Sequence, residues 1–254
     1  MSTLRPSTDN TLSYDSQGST YVIHYFQNHG MTGAIRALLS LALNKDQWSN
    51  QFQDPVTWWN DKDKAPCGTL PILYETTSTG ETITIPESDA IERYLARKYG
   101  YMGSTPWEET LVNIFHAQAM TVLVKWIQKV AWAIEGTREQ AMESFLKVTL
   151  REWINTCEKQ LRHNGSNGHF VGDMLTLADI KTATVLDVFL SLESSNILNA
   201  ETSPNLWKLK EMVDLQSNYA AYRRSEEFKT IDSNANACMG GLLPYDAKKA
   251  HIFT

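Results

Sequence analysis

The spacing of apolar positions changes part-way along the chain, and the change predicts two kinds of structure. From Thr20 the run "TYVIHYF" is rich in β-branched and aromatic residues and predicts a strand. A polar turn with one glycine follows. Met31, Ile35, Leu38, Leu39 and Ala42 then recur at helical spacing. "QWSNQFQ" reads as a second, weaker strand. "GTLPILYE" and "ETITI" flank "TTSTG", which predicts a hairpin with a five-residue loop. "ESDAIERYLARKYG" predicts a helix with Ala90, Ile91, Tyr94 and Leu95 on one face and a stop at Gly100. The order β-α-β, then β-β-α, is that of an α/β half with a small mixed sheet.

After "YMGSTP" the period is helical throughout. Leu111, Ile114, Phe115, Val122, Leu123, Trp126, Ile127 and Val130 mark one long amphipathic helix, and Leu146, Leu150, Trp153, Ile154, Cys157 and Leu161 a second. "TLADIKTATVLDVFLSL" is apolar nearly all round, as a central buried helix should be. "PNLWKLKEMVDLQSNYAAYRRSEEF" supplies one or two more, and no strand is predicted after residue 104. The expected organisation is a Ser/Thr-rich flexible lead-in at 1–19, an α/β domain at 20–100, an all-helical domain at 106–229 and a tail at 230–254.

Composition narrows the class. The 254 residues suffice for two packed cores, and eight Trp, ten Tyr and eight Phe exclude a disordered chain. Basic residues number 23 and acidic 29, a net charge of −6, which argues against a nucleic-acid footprint. Cys67, Cys157 and Cys238 have neither metal-ligand nor disulfide spacing, which fits a reducing compartment. Neither a signal-peptide core nor a run of about 18 apolar residues is present, so a soluble, cytoplasmic protein is expected.

Three local features invite chemistry. Tyr25 ends its strand facing the turn before a helix, where a phenol can either pack or act; Tyr21, at the start of the same strand, is its nearest rival. His24 should point to the opposite face from Tyr25, and His29 lies in the turn. Pro71 at a strand start forfeits a ladder donor and needs a reason. In "TLAD", Thr176 can cap a helix while Asp179 reaches back to the Thr176 amide.

Taken together, "YF…GAIR", "PCGTLPIL", "ESDAIERYLA" and "FVGDMLTLADI" resemble the cytosolic glutathione transferases in order and approximate spacing, over roughly residues 20–225. The resemblance implies a thioredoxin-like N-terminal domain followed by an all-α helical bundle domain. Within the family the pattern is similar to the sigma-like, tyrosine-type group, which includes glutathione-dependent prostaglandin D synthases. Tyr25 falls where that group keeps its catalytic tyrosine, eleven residues before Arg36. Trp58 and Lys62 match its Trp-x3-Lys pair, Leu70-Pro71 the cis-proline dipeptide that pairs with the cysteinyl unit of glutathione, and Glu87-Ser88 the pair holding the γ-glutamyl end. Trp59 can take the role of Trp58 if the helix register shifts.

Three positions depart from the pattern. Thr69 stands where sigma enzymes often carry lysine or glutamine, Met31 where they place an arginine near the sulfur, and Asn113 where an aspartate reaches into the partner subunit's site. The resemblance further implies an electrophile pocket involving Met31, His29, Trp107, Leu111, Phe115 and His116. It implies a homodimer that uses glutathione as co-substrate, with no other cofactor, no metal, no nucleic-acid partner and no membrane span. The expected activity is conjugation of glutathione to a small hydrophobic electrophile. The alternatives are a glutathione-dependent isomerase and a non-catalytic glutathione-binding member of the same fold. Cys67 precedes the proline strand rather than the first helix, which argues against a nucleophile, and Cys157 reads as core.

Overall fold

The computed structural model describes residues 18–134, 136–190, 192 and 196–239, with side chains to 234. Most of the expected lead-in and the tail beyond 239 lie outside the described residues. The chain divides into two compact units: the residues up to Met102 together with Gln216–Ile231, and Gly103–Leu215 with the residues from Asp232 on.

In the first unit, β1 (Thr20–Tyr25), α1 (Gly33–Ala42), β2 (Trp48–Phe52), the single turn α2 (Trp58–Asp61), β3 (Ile72–Thr76), β4 (Thr82–Pro86) and α3 (Ser88–Lys98) follow in order. The sheet order is β2-β1-β3-β4, with β1 and β2 parallel and the other pairs antiparallel. Period-2 alternation buries Tyr21, Ile23 and Tyr25 and leaves Val22 and His24 half-open. Arg36 of α1 reaches Asn50 of β2, and Tyr94 and Lys98 of α3 reach Glu75 of β3. Both helices therefore cover the face that carries Tyr21, Ile23 and Tyr25. The β3–β4 loop is one residue displaced from its sequence reading, because Thr76 still pairs with Thr82 and the turn is 77–81. Gly100 ends α3 at φ +80, with the Tyr101 amide bonded to the Ala96 carbonyl and the Tyr99 amide to Leu95. That left-handed stop is the one its glycine predicts.

At the start of the sheet, Glu75 is fully buried and pairs with Lys98, while accepting from Ser19 Oγ at 2.7 Å and Tyr94 Oη at 2.5 Å. A buried carboxylate persists only where cation and donors compensate its lost hydration. Beside it, the Tyr21 and Tyr99 hydroxyls are 2.7 Å apart. Burial, first of all, holds the Tyr99 phenol up to about 12 and pushes Tyr21 higher still.

The second unit holds α4 (Pro106–Trp126), α5 (Arg138–Ser144), α6 (Arg151–His163), α7 (Leu177–Leu190) and α8 (Pro204–Asp214); α9 (Ser217–Arg223) belongs to the first unit. The last helix, α10 (Glu226–Met239), runs ten residues into the expected tail. Among the described residues no strand follows β4. Thr105 caps α4 by accepting from the Glu108 amide, with Pro106 in the first turn.

Its buried stripe is Val112, Phe115, His116, Ala119, Val122, Leu123 and Trp126. Ile114, expected on that face, lies about 200° round the axis from Val112 and is 42% exposed. The predicted second helix begins as a π-helical stretch, Phe145–Leu150, before α6. The wider turn lets Phe145 and Leu150, five apart, both bury; in an α-helix they would diverge by about 140°. α7 is buried on nearly every side, as its composition predicts, and packs on α4 and α8.

Asp179 organises the entry to α7. Its carboxylate is fully buried and accepts from the Thr176 amide at 2.8 Å, the Thr176 hydroxyl at 2.9 Å and the Phe170 amide at 2.8 Å.

Asp179→Ala removes a helix cap and leaves the Phe170 amide without its carboxylate, so we expect a loss of roughly 2–4 kcal/mol in urea unfolding. Asp179→Asn, which keeps an acceptor oxygen, should lose less. Tyr21 and Tyr99 generate a pH prediction. Their folded pKa values lie above the unfolded value of about 10, so their contribution is intact below about pH 10 and declines as pH rises towards about 12. Urea midpoints measured from pH 8 to 12 should fall across that window, and less steeply in Tyr21→Phe.

Candidate functional site

Strand register sets three sequence segments side by side at one end of the sheet. His24 pairs with Ile72 in antiparallel β1–β3, so the next step brings Tyr25 opposite Pro71. Ile72 pairs with Pro86 in β3–β4, so the step beyond brings Pro71 opposite Glu87. Tyr25, the Leu70-Pro71 dipeptide and the Glu87-Ser88 entry to α3 thus form a row. No separate binding domain is needed to collect them.

The loop after β1 is locked on every side. Arg36, 1% exposed, donates from Nη1 to the Asn28 carbonyl at 2.7 Å and from Nε to Asn50 Oδ1 at 2.8 Å. Asn50 in turn donates to Glu227 Oε1 at 3.1 Å, and Lys45 pairs with Glu227 Oε2 at 3.1 Å. Burial pushes the Arg36 pKa down, against Tyr222, Tyr25 and Glu227, which raise it; a guanidinium stays charged in any case. Thr32 closes the turn, its amide and hydroxyl both donating to the His29 carbonyl, at 2.7 and 2.8 Å. The Met31 amide donates to Tyr25 Oη at 3.2 Å. Tyr25 packs edge-on against Phe26, and Phe26 edge-on against Trp58.

The second part of the row is a helix entrance. The Leu70-Pro71 peptide bond is cis and Pro71 is buried. Glu87 takes φ +71 and ψ 115, an unusual backbone for a residue with a Cβ, and Ser88 is buried behind it. The first-turn amides of the eleven-residue α3 begin here, where the helix dipole favours an anion. Thr69, exposed, donates to Glu87 Oε1 at 3.0 Å.

The remaining candidates take varied places. Trp58 is buried, whereas Trp59 is half-exposed and carries the Lys62 ammonium 5.5 Å from its ring centroid. Met31 is half-buried, and the His29 ring packs 4.9 Å from Phe228. His24 lies on the other face, stacked on Tyr74 and bonded through Nε2 to Gln53. Tyr21 sits at the far end of β1 against Tyr99.

In the second unit, Trp107 is 66% exposed, Leu111 is half-exposed, and Asn113 donates to the Glu109 carbonyl of its own helix. Phe115 and His116, expected to line a pocket, are core residues of that unit, Phe115 stacking on Phe170 with centroids 4.8 Å apart. Sequence reasoning passed over Gly30 and Phe228. A lone glycine in a polar turn was the sole signal for the first, and nothing in the local pattern marked the second.

Residues 123–226 match the family described as glutathione S-transferase, C-terminal domain. S-crystallin SL11 of Nototodarus sloanii is 29% identical over 80% of this chain and 95% of its own. Glutathione S-transferase 2 of Caenorhabditis elegans is 30% identical over 57% of this chain and 74% of its own. A solved Caenorhabditis elegans glutathione S-transferase superposes with a TM-score of 0.67 at 28% identity, covering 80% of this chain and 96% of that one.

Cys67 is exposed, whereas Cys157 is buried and its thiol is pushed up, first by burial and then by Glu158. Iodoacetamide at pH 8 should therefore alkylate Cys67 in the folded protein and reach Cys157 only after unfolding. Peptide mapping that found the two modified at equal rates would contradict this placement.

Proposed function

The chain belongs to the glutathione S-transferase family, and from that premise we propose that it is a sigma-like, tyrosine-type transferase that uses Tyr25 to hold glutathione as its thiolate. The observation that carries the proposal is the Tyr25 hydroxyl at the sheet end, fixed by the Met31 amide and in register with Pro71 and Glu87. A free thiol of this kind has a pKa near ~8.5, so only a few per cent is ionised at neutral pH. A neutral phenol donating to sulfur favours the charged form, and each unit of lowering corresponds to about 1.4 kcal/mol. The thiolate then attacks an electrophilic carbon. An S–C bond forms, and the electron pair leaves with the displaced group or moves into the acceptor.

In this reading the first-turn amides of α3 and Ser88 take the γ-glutamyl carboxylate, and Glu87 takes the ammonium. The Leu70 backbone beside Pro71 pairs with the cysteinyl unit, while Trp58, Lys62 and Thr69 serve the glycyl end. His29 and Met31, flanking Gly30, meet the electrophile. A cytosolic homodimer in which Asn113 serves the partner subunit's glutathione completes the proposal. Among the described residues no helix is long and apolar enough to cross a membrane.

A second reading, a glutathione-binding protein without turnover, draws on the relative named S-crystallin, 29% identical along nearly its whole length. It also draws on Glu87, one oxygen of which already accepts from Thr69. An isomerase would share the thiolate step and differ only in expelling the sulfur again.

The test is the ultraviolet thiolate absorbance of bound glutathione as a function of pH. Wild type should titrate below free glutathione, and Tyr25→Phe should lose most of that displacement while its conjugation rate at neutral pH falls by roughly 10²-fold. Binding with an unshifted thiol and no conjugation would favour the second reading.

A further inference from the structure

Gln53 follows β2 and lies in no regular element, yet it is bonded to two separate parts of the candidate site. Its main-chain amide donates to the Tyr25 carbonyl at 2.9 Å, which carries the β1–β2 ladder one bond past the Tyr25–Phe52 pair. Its side chain reaches α2 instead. Gln53 Nε2 donates to Asp61 Oδ2 at 3.3 Å, to Thr57 Oγ1 at 3.1 Å and to the Asp54 carbonyl at 3.2 Å. That same carbonyl accepts the Trp58 amide at 3.1 Å. Thr57 precedes α2 and Asp61 ends it, so both ends of the turn are held. A four-residue turn needs such ties, because nucleating a helix costs more than its first bond returns.

The Gln53 amide is set in turn by His24. Three oxygens face its nitrogen, so Oε1 must lie on the other side, where it meets His24 Nε2 at 3.0 Å. Asp61 enforces this most strongly, since Lys64 first and Gln53 second hold its carboxyl below the usual carboxylate range. Turning the amide over would set an oxygen against that carboxylate. His24 therefore carries its proton on Nε2 and donates it. Its Nδ1 is buried without a hydrogen-bond partner among the described residues, where an N–H would lack an acceptor. Stacking on Tyr74, with centroids 6.4 Å apart and planes at 24°, keeps the ring in place.

We propose that Gln53 and His24 are positioning residues that set α2 relative to Tyr25 and thereby make the site prefer glutathione to γ-glutamylcysteine, the dipeptide without the glycyl unit. The inference rests on the reading in which Tyr25 serves the sulfur while Trp58 and Lys62 serve the glycyl end. In that reading β1 and α2 answer opposite ends of one ligand, and Gln53 is bonded to both. A ligand that stops at its cysteine gains nothing from α2. Misplacing α2 therefore costs affinity for the tripeptide alone.

The experiment measures the dissociation constants of both peptides by titration calorimetry, for wild type, Gln53→Met, Gln53→Glu, His24→Phe and His24→Gln, each checked for folding by circular dichroism. Wild type should bind glutathione the more tightly. Gln53→Met keeps the length without the donors, and Gln53→Glu sets a second carboxylate against Asp61. Each should raise the glutathione constant roughly 10-fold and leave that of the dipeptide unchanged. His24→Phe, which keeps a ring but loses the donor, should move the same way. His24→Gln restores an N–H and should recover most of the preference. The main-chain bond to Tyr25 survives all four substitutions, so the thiol of bound glutathione should titrate as in wild type.

If the Gln53 variants fold and keep the wild-type preference, the proposal is overturned. Equal weakening of both peptides would overturn it too, since loosened packing alone predicts that. Should both Gln53 variants fail to fold, a wild-type preference in His24→Phe would be equally fatal. A wild type that does not distinguish the peptides removes Trp58 and Lys62 from the glycyl end, and the proposal falls with that reading. Tyr25→Phe should retain the preference while losing the thiol displacement. Failure of the activator reading thus shows in the thiol titration, and failure of this proposal in the binding ratio.

Discussion

A buried guanidinium determines the shape of the candidate site. Arg36 emerges from α1 into the space beneath the sheet with 1% of its surface exposed, and a charge in that position must be answered by acceptors. The acceptors are a carbonyl of the loop after β1 and a side-chain oxygen of β2, with Glu227 one hydrogen bond further on. Satisfying one cation therefore ties together the helix, the edge strand, the catalytic-candidate loop and the segment that returns from the C-terminal part of the chain. Apart from one 3-10 turn at Gly30–Thr32, the loop has no regular secondary structure to hold it, and this is what substitutes. Its backbone amide at Met31 can then be aimed at a phenol to within hydrogen-bond distance.

The two tyrosines of β1 show how one strand can hold the same side chain in two chemical states of use. Tyr21 and Tyr25 share a face, four residues apart, and both are buried. Tyr21 is surrounded by a second phenol, a carboxylate and a lysine, and burial drives its ionisation far up. Its hydroxyl is absorbed into the fold. Tyr25, at the end where the sheet gives way to loops, meets a main-chain donor and stands in line with a cis-proline turn and a helix entrance. The Glu75 cluster holds the unit together at one end of the sheet, and the other end carries the candidate site.

The helical unit shows the same economy with a single carboxylate. Asp179 closes the first turn of α7 and also receives the Phe170 amide from the chain that leads into it. A helix buried on nearly all sides cannot rely on solvent to satisfy its terminal amides, so the cap must come from within. The neighbouring Glu158 does likewise for α8, accepting from the Asn205 and Leu206 amides at 2.9 and 2.8 Å.

Local pattern alone determined the strand–helix order, the caps and the stops. Alternation set His24 on the face opposite Tyr25, the Thr176–Asp179 spacing marked a cap, and Gly100 marked a stop, because each depends on residues within one turn or one pleat of each other. The four motifs singled out Tyr25, Leu70-Pro71 and Glu87-Ser88, which the strand register sets in a row.

Tertiary structure decided the rest. Which stripe of α4 is buried turned on its neighbours, so Ile114 faces out and Phe115 and His116 face a core. The π-helical turn before α6 shifted the register in a way no 3.6-residue template anticipates. The places of Arg36, Gly30 and Phe228 arise from contacts between segments distant in sequence or from the path of a loop. A periodic pattern carries no record of either, because it reports which face of an element is apolar and not which backbone will lie against it.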